Sequence, residues 1–302
     1  MRLISFAHTE GPRLGVRLGD VLIDLSQVDA RLPADMIAFL AGGDDAAAAV
    51  GAAVENAPAK AQMRFSAAKL LPVVPRPGKI VCVGLNYVDH AVEISPRSLP
   101  EHPTFFARFA STLVAHDEPL LRPTVSTKLD FEGELAVIIG KPGRMIPKSQ
   151  ALAHVGGYAL FNEGSVRDYQ FRTSQWFLGK NFDGTGAFGP ELCTPDELPP
   201  GANGLFLCTR VNGEVVQEAT TTDMLFPVPA LIAALSEAMT LSPGDVIVTG
   251  TPSGVGFARK PPRYLKPGDV CEIELESYGV LRNPVADADR EEERGCLRRP
   301  GA

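Results

Sequence analysis

Apolar and polar positions alternate through LGVRLGDVLID (14–24) around a Gly19-Asp20 step, a pattern that predicts a hairpin of two short strands. Helix-forming stretches follow at Asp35 to Leu40 and in the alanine-rich Ala46 to Val54. The segment LPVVPRPG (71–78) has too many prolines to continue any element and reads as a linker. Beyond it the texture changes. Compact apolar runs at 79–84, 131–139, 205–211, 245–249 and 270–275 read as strands, two of them entered through the turns SPGD (242–245) and KPGD (266–269). One amphipathic helix stands out at 228–239, with Leu231, Ile232, Leu235 and Met239 on one face. Strands outnumber helices and do not alternate with them. The expected fold is therefore α+β and β-rich, with a mixed β-roll or barrel-like body rather than a doubly wound sheet. Residues 1–70 are expected to form a small N-terminal α+β unit, 71–286 the body and 287–302 a charged tail.

Composition narrows the function classes. The chain has 302 residues with 29 basic and 36 acidic side chains, a net charge of −7, so unspecific binding to phosphate backbones is disfavoured. No apolar run reaches about 18 residues, so no membrane-spanning helix is expected. The first residues lack the apolar core of a secretory signal. Five cysteines lie far apart without a CxxC pair, which speaks against a disulfide framework or zinc knuckle and for a reduced, cytoplasmic setting.

The most informative stretch is LDFEGELAVII (129–139). Side chains alternate along a strand, so Glu132 and Glu134 share a face that becomes apolar at Ala136 and Ile138. Two carboxylates ~5 Å apart repel by about 3 kcal/mol at an effective dielectric of ~20, and a hard divalent cation removes that cost. On its own the pair also fits a solvated strand face. Glu163 falls where an apolar strand ends (GYALFNEG, 157–164) and offers a third oxygen ligand. Arg167 and Asp168, just beyond, read as an ion pair holding the turn. His90 and Glu93, three apart on a short helix after a strand, share a face, and a carboxylate beside a histidine fixes its tautomer and raises its basicity. The same spacing also occurs in ordinary surface pairs. Lys180, in the glycine-containing LGKNF loop (178–182), could stabilise an oxyanion or be a plain loop lysine. The turn TGTPSGVG (249–256) lacks the Gly-Lys-Ser/Thr ending of a phosphate-binding loop, but its backbone N–H groups and a threonine could hold a small carboxylate.

Five collinear blocks, NYVDHAVE, FEGELAVIIGK, FNEGSVRDYQ, GKNF and LSPGDVIVTGTPSGVG, resemble the fumarylacetoacetate hydrolase family over roughly Pro75 to Val285. The resemblance implies a mixed β-roll core, a homodimer, and a Mg²⁺ or Mn²⁺ site acting on small 2-oxo acids. It assigns Glu132, Glu134 and Glu163 to the metal, Glu163 standing where the family most often has aspartate. It implies His90 and Glu93 as a water-activating pair, Lys180 as the active-site lysine, and Gln170 and Thr251 as substrate contacts. Arg108 departs from a lysine frequent in the family near that position, and is expected to read a distal substrate carboxylate. The reaction implied is hydrolysis of the C–C bond in acylpyruvates or 2,4-diketo acids through a pyruvate enolate. Oxaloacetate decarboxylation and enol–keto or dienoate isomerisation would use the same intermediate. A metal-dependent small-molecule binding module is the non-enzymatic alternative. No nucleic acid or membrane partner is expected.

Overall fold

The computed structural model describes residues 1–94 and 99–289. Among them, eleven strands form one mixed sheet and five more a second. At the centre of the large sheet lies Gly133–Ile139, every residue of which is buried. It pairs antiparallel with Val155–Glu163 on one side and Val246–Val248 on the other. Val246–Val248 runs parallel to Ile80–Gly84, and Thr104–Arg108 closes that end.

A central strand covered on both faces must be apolar throughout. Leu135, Val137 and Ile139 enter a core shared with the five-stranded sheet and the helix Val228–Ala238. Ala136 and Ile138 enter the opposite core, against Phe39 and Leu40 of the helix Met36–Glu55. That second helix unites the two expected helical stretches. Gly43 (φ 54°, ψ −138°) breaks it, so no continuous rod results. The second sheet runs Glu214–Thr220, Phe206–Val211, Val270–Leu275, Gly279–Asp287 and Leu120–Arg122. Its inward residues alternate as expected, with Cys271, Ile273 and Leu275 buried in the first core.

The N-terminal hairpin forms as its pattern predicts, with Leu18 opposite Val21. A preceding strand, Arg2–His8, pairs with the hairpin's Gly11–Leu18 on one side and with Gly186–Cys193 on the other, through Arg2↔Cys193 and Leu3↔Leu192, so the N-terminal strands extend the large sheet. The two proline-glycine turns share one device. Asp245 accepts the backbone N–H of Ser242 at 2.8 Å, and Asp269 that of Lys266 at 3.0 Å, so each aspartate closes its own turn. The fold is α+β and strand-rich, with mixed sheets, as the sequence pattern leads one to expect.

Candidate active site

Register brings the three glutamates together. Glu134 stands opposite Phe161 and Gly133 opposite Asn162, and the Glu163 N–H donates to the Glu132 carbonyl at 2.9 Å. Glu132 precedes the central strand, Glu134 is its second residue, and Glu163 ends its neighbour. A carboxylate oxygen from each lies within 4.8 Å of the others, and all three residues are buried. Gly133 between the first two is a packing requirement: a Cβ there would sit 2.0 Å from Thr209 Oγ1, on the sheet packed above. Gly250 has φ +101°, and its N–H donates to Glu134 Oε2 at 2.5 Å.

Three buried cations surround this cluster. Lys180 Nζ lies 2.8 Å from Glu132 and 2.7 Å from Glu163. Arg167 reaches Asp130 at 2.8 Å and Glu132 at 2.6 Å. Arg108 approaches Glu163 Oε1 at 3.5 Å. One expectation is corrected here. Arg167 does not pair with Asp168, which accepts from Ser126 Oγ at 2.6 Å; the deeper carboxylates Asp130 and Glu132 capture the guanidinium. Arg108, expected to read a distal substrate carboxylate, has a side chain with no exposed surface, spent on Thr112, Gly164, Thr185 and Glu163.

Electrostatics divides the glutamates. Burial opposes ionisation of Glu132, but Arg167 and Lys180 outweigh it and hold this carboxyl well below its ordinary range. Burial pushes Glu134 well up, and Glu163 and Glu132 beside it add to the rise. Burial also raises Glu163, against the pull of Lys180. For Lys180, burial works against the charge, yet Glu132 and Glu163 raise its pKa. With Asp130, four carboxylates face the three cations. The set is one positive charge short when all are ionised, and among the described residues Glu163 Oε1 is buried without a hydrogen-bond partner. An all-oxygen, electron-rich set with an orphaned oxygen fits a hard divalent cation.

A small cavity of about 40 Å³ opens beside the cluster. His90, Gln170, Lys180 and Thr251 line it together with the three glutamates. His90 Nδ1 lies 3.1 Å from Glu93 Oε2, and the Gly254 N–H donates to Glu93 at 3.2 Å, so the pair is tied to the 249–256 turn. Gln170 Oε1 accepts from Arg167 at 2.8 Å. Thr251 Oγ1 accepts from Gln217 at 2.8 Å and donates to the Gly133 carbonyl at 3.1 Å. Sequence reasoning missed Asp130, which anchors Arg167, and Gln217, which holds both Gly133 and Thr251. Asp130 had a signal, since it continues the Glu132–Glu134 alternation. The aromatic wall of Phe106 and Trp176, with ring centroids 5.6 Å apart, had none. Residues 95–98, which follow the short helix carrying His90 and Glu93 in the sequence, lie outside the described residues.

Residues 79–286 match the model of the fumarylacetoacetate hydrolase C-terminal domain. The Homo sapiens protein named oxaloacetate tautomerase FAHD2A, mitochondrial, is 43% identical over 291 residues, covering 94% of this chain and 91% of its own. A fumarylacetoacetate hydrolase from Exiguobacterium antarcticum superposes with a TM-score of 0.79 at 34% identity, over 95% of this chain and 100% of its own. A maleylpyruvate hydrolase from Sphingobium sp. SYK-6, in complex with manganese(II) and pyruvate, does so with a TM-score of 0.80 at 30% identity, over 96% and 100%. With the matched segment spanning most of the chain and the fold shared end to end, this protein is a member of the fumarylacetoacetate hydrolase family.

Proposed function

We propose that this enzyme interconverts the enol and keto forms of a small 2-oxo acid of the oxaloacetate type. The carrying observation is the buried cluster Glu132, Glu134 and Glu163 with Lys180 at its centre, opening on a cavity beside His90. The tautomerases among the relatives support this reaction over the C–C hydrolysis that the family resemblance first suggests.

Glu132, Glu134 and Glu163 would hold the cation, Mg²⁺ or Mn²⁺, which supplies Lewis-acid stabilisation of enolate charge. Lys180 adds a fixed positive charge where the 2-oxygen becomes negative, and being buried it does so at low effective dielectric. Glu93 accepts from His90 Nδ1 and leaves Nε2 as the nitrogen with a free lone pair. In the keto-to-enol direction that nitrogen takes the proton from C3 and, as imidazolium, delivers it to the 2-oxygen; the enol-to-keto direction is the reverse, so one proton is moved and atoms and charge balance. Gln170, Phe106 and Trp176 line the rest of this small cavity, which suits a small acid.

Acylpyruvate hydrolysis stays as a second reading. The His90–Glu93 pair favours it, since the same base could activate water, and so does the maleylpyruvate hydrolase among the structural neighbours. One experiment separates them. Enol-oxaloacetate absorbance is followed after mixing with Mn²⁺-loaded protein, and acetylpyruvate is assayed in parallel. Faster loss of enol without loss of total oxaloacetate supports tautomerisation. Cleavage of acetylpyruvate with no effect on the oxaloacetate enol would overturn it in favour of the hydrolase.

A further inference from the structure

We infer that Arg108 is a positioning residue that aims Glu163 Oε1 at the cation, an inference that rests on Glu163 being a ligand. The arginine sits in a cradle built for a guanidinium. Nε donates to Thr112 Oγ1 at 2.9 Å and one terminal nitrogen to Thr185 Oγ1 at 2.7 Å. Both terminal nitrogens reach the carbonyl of Gly164 at 3.3 Å, so the side chain grips the backbone next to Glu163. Gly186 makes the room, since a Cβ there would fall 2.7 Å from Arg108 Nε.

What Arg108 does to the carboxylate is equally specific. It lies 3.5 Å from Glu163 Oε1, close enough to attract it and too far to use its lone pair. Lys180 takes the other oxygen at 2.7 Å. Glu163 is thus held between two cations, one occupying Oε2, the other facing an Oε1 that has no hydrogen-bond partner among the described residues. Oε1 is the atom left to ligate. A lysine at 108 could supply the charge but not the planar fork that spans Thr112, Gly164 and Thr185.

The test is a double-mutant cycle read by Mn²⁺ affinity, without substrate, using calorimetry on the full chain. Arg108→Lys should weaken Mn²⁺ binding about 10- to 100-fold, the usual effect of losing a residue that orients a ligand. In a Glu163→Gln background the same substitution should change affinity less than about 2-fold, because the group it acts through is already gone. Thr112→Val, which removes one arm of the cradle, should give a smaller loss of the same kind, and serves if Arg108→Lys does not fold. Equal losses in both backgrounds, or a lower melting temperature with unchanged Mn²⁺ affinity, would reduce Arg108 to a structural residue and overturn the inference. Wild-type protein that takes up no Mn²⁺ would remove the ligand reading of Glu163 first, and this inference with it.

Discussion

Replacing Lys180 by methionine separates metal binding from catalysis. Nζ sits 2.8 Å and 2.7 Å from two buried carboxylates. At an effective dielectric of ~20 each contact is worth about 6 kcal/mol of gross attraction. Desolvation of the ammonium and of the carboxylates offsets much of it, and loss of one partner from a buried ion pair costs about 3–5 kcal/mol net. Part of that loss is recovered as Glu163, already raised by burial, takes up a proton. The metal-free variant should therefore melt well below the wild type. A divalent cation meets one positive charge fewer in the variant, so Mn²⁺ should bind at least as tightly and restore most of the melting temperature. Turnover should fall by about 10²–10³-fold, the scale for removing one preorganised charge from an oxyanion. The assay pairs Mn²⁺ calorimetry with the enol-absorbance rate at saturating metal. Weaker Mn²⁺ binding together with an unchanged rate would refute both the charge balance and the role given to Lys180.

Three further outcomes are expected. His90→Ala should slow tautomerisation about 10²-fold with little change in KM, and an unaltered rate constant would remove His90 from the proton path. The raised pKa values of Glu134 and Glu163 make the folded, metal-free protein bind more protons than the unfolded chain above the ordinary value of 4.5. Stability of the metal-free form should fall as pH rises from that value through the raised pKa values, whereas Mn²⁺ affinity should increase and about one proton should be released per ion. Calorimetry in buffers of different ionisation enthalpy counts that proton, and uptake instead of release contradicts the sign. Gly133→Ala should lower stability by about 2–3 kcal/mol through overpacking, and Thr209→Ala in the same chain should return part of it, as thermal melts would show.

What the sequence revealed follows the range of the interactions involved. The central strand was legible because burial on both faces leaves a continuous apolar run, and the carboxylate cluster because two of its glutamates lie at the start of that run. The helix 36–55 was legible in halves, since Gly43 interrupts its pattern at the place where its backbone departs from helix. The partners of the buried arginines were not legible. Arg167 finds Asp130 across 37 residues, and the nearby Asp168 offered a simpler, incorrect partner. The surroundings of Arg108 were not legible either, because nothing local reveals that Thr185 and Gly164 close around it. The joining of the N-terminal strand Arg2–His8 to the body through Leu3↔Leu192 was hidden for the same reason.

That joining bears on any attempt to dissect the protein. A chain begun at residue 79, where the family match starts, would leave Leu192 and Cys193 without the strand that completes their ladder. Open ladder positions and the stripped apolar surface beneath Leu3 invite intermolecular strand addition. Truncation at that boundary should yield aggregates rather than a minimal enzyme.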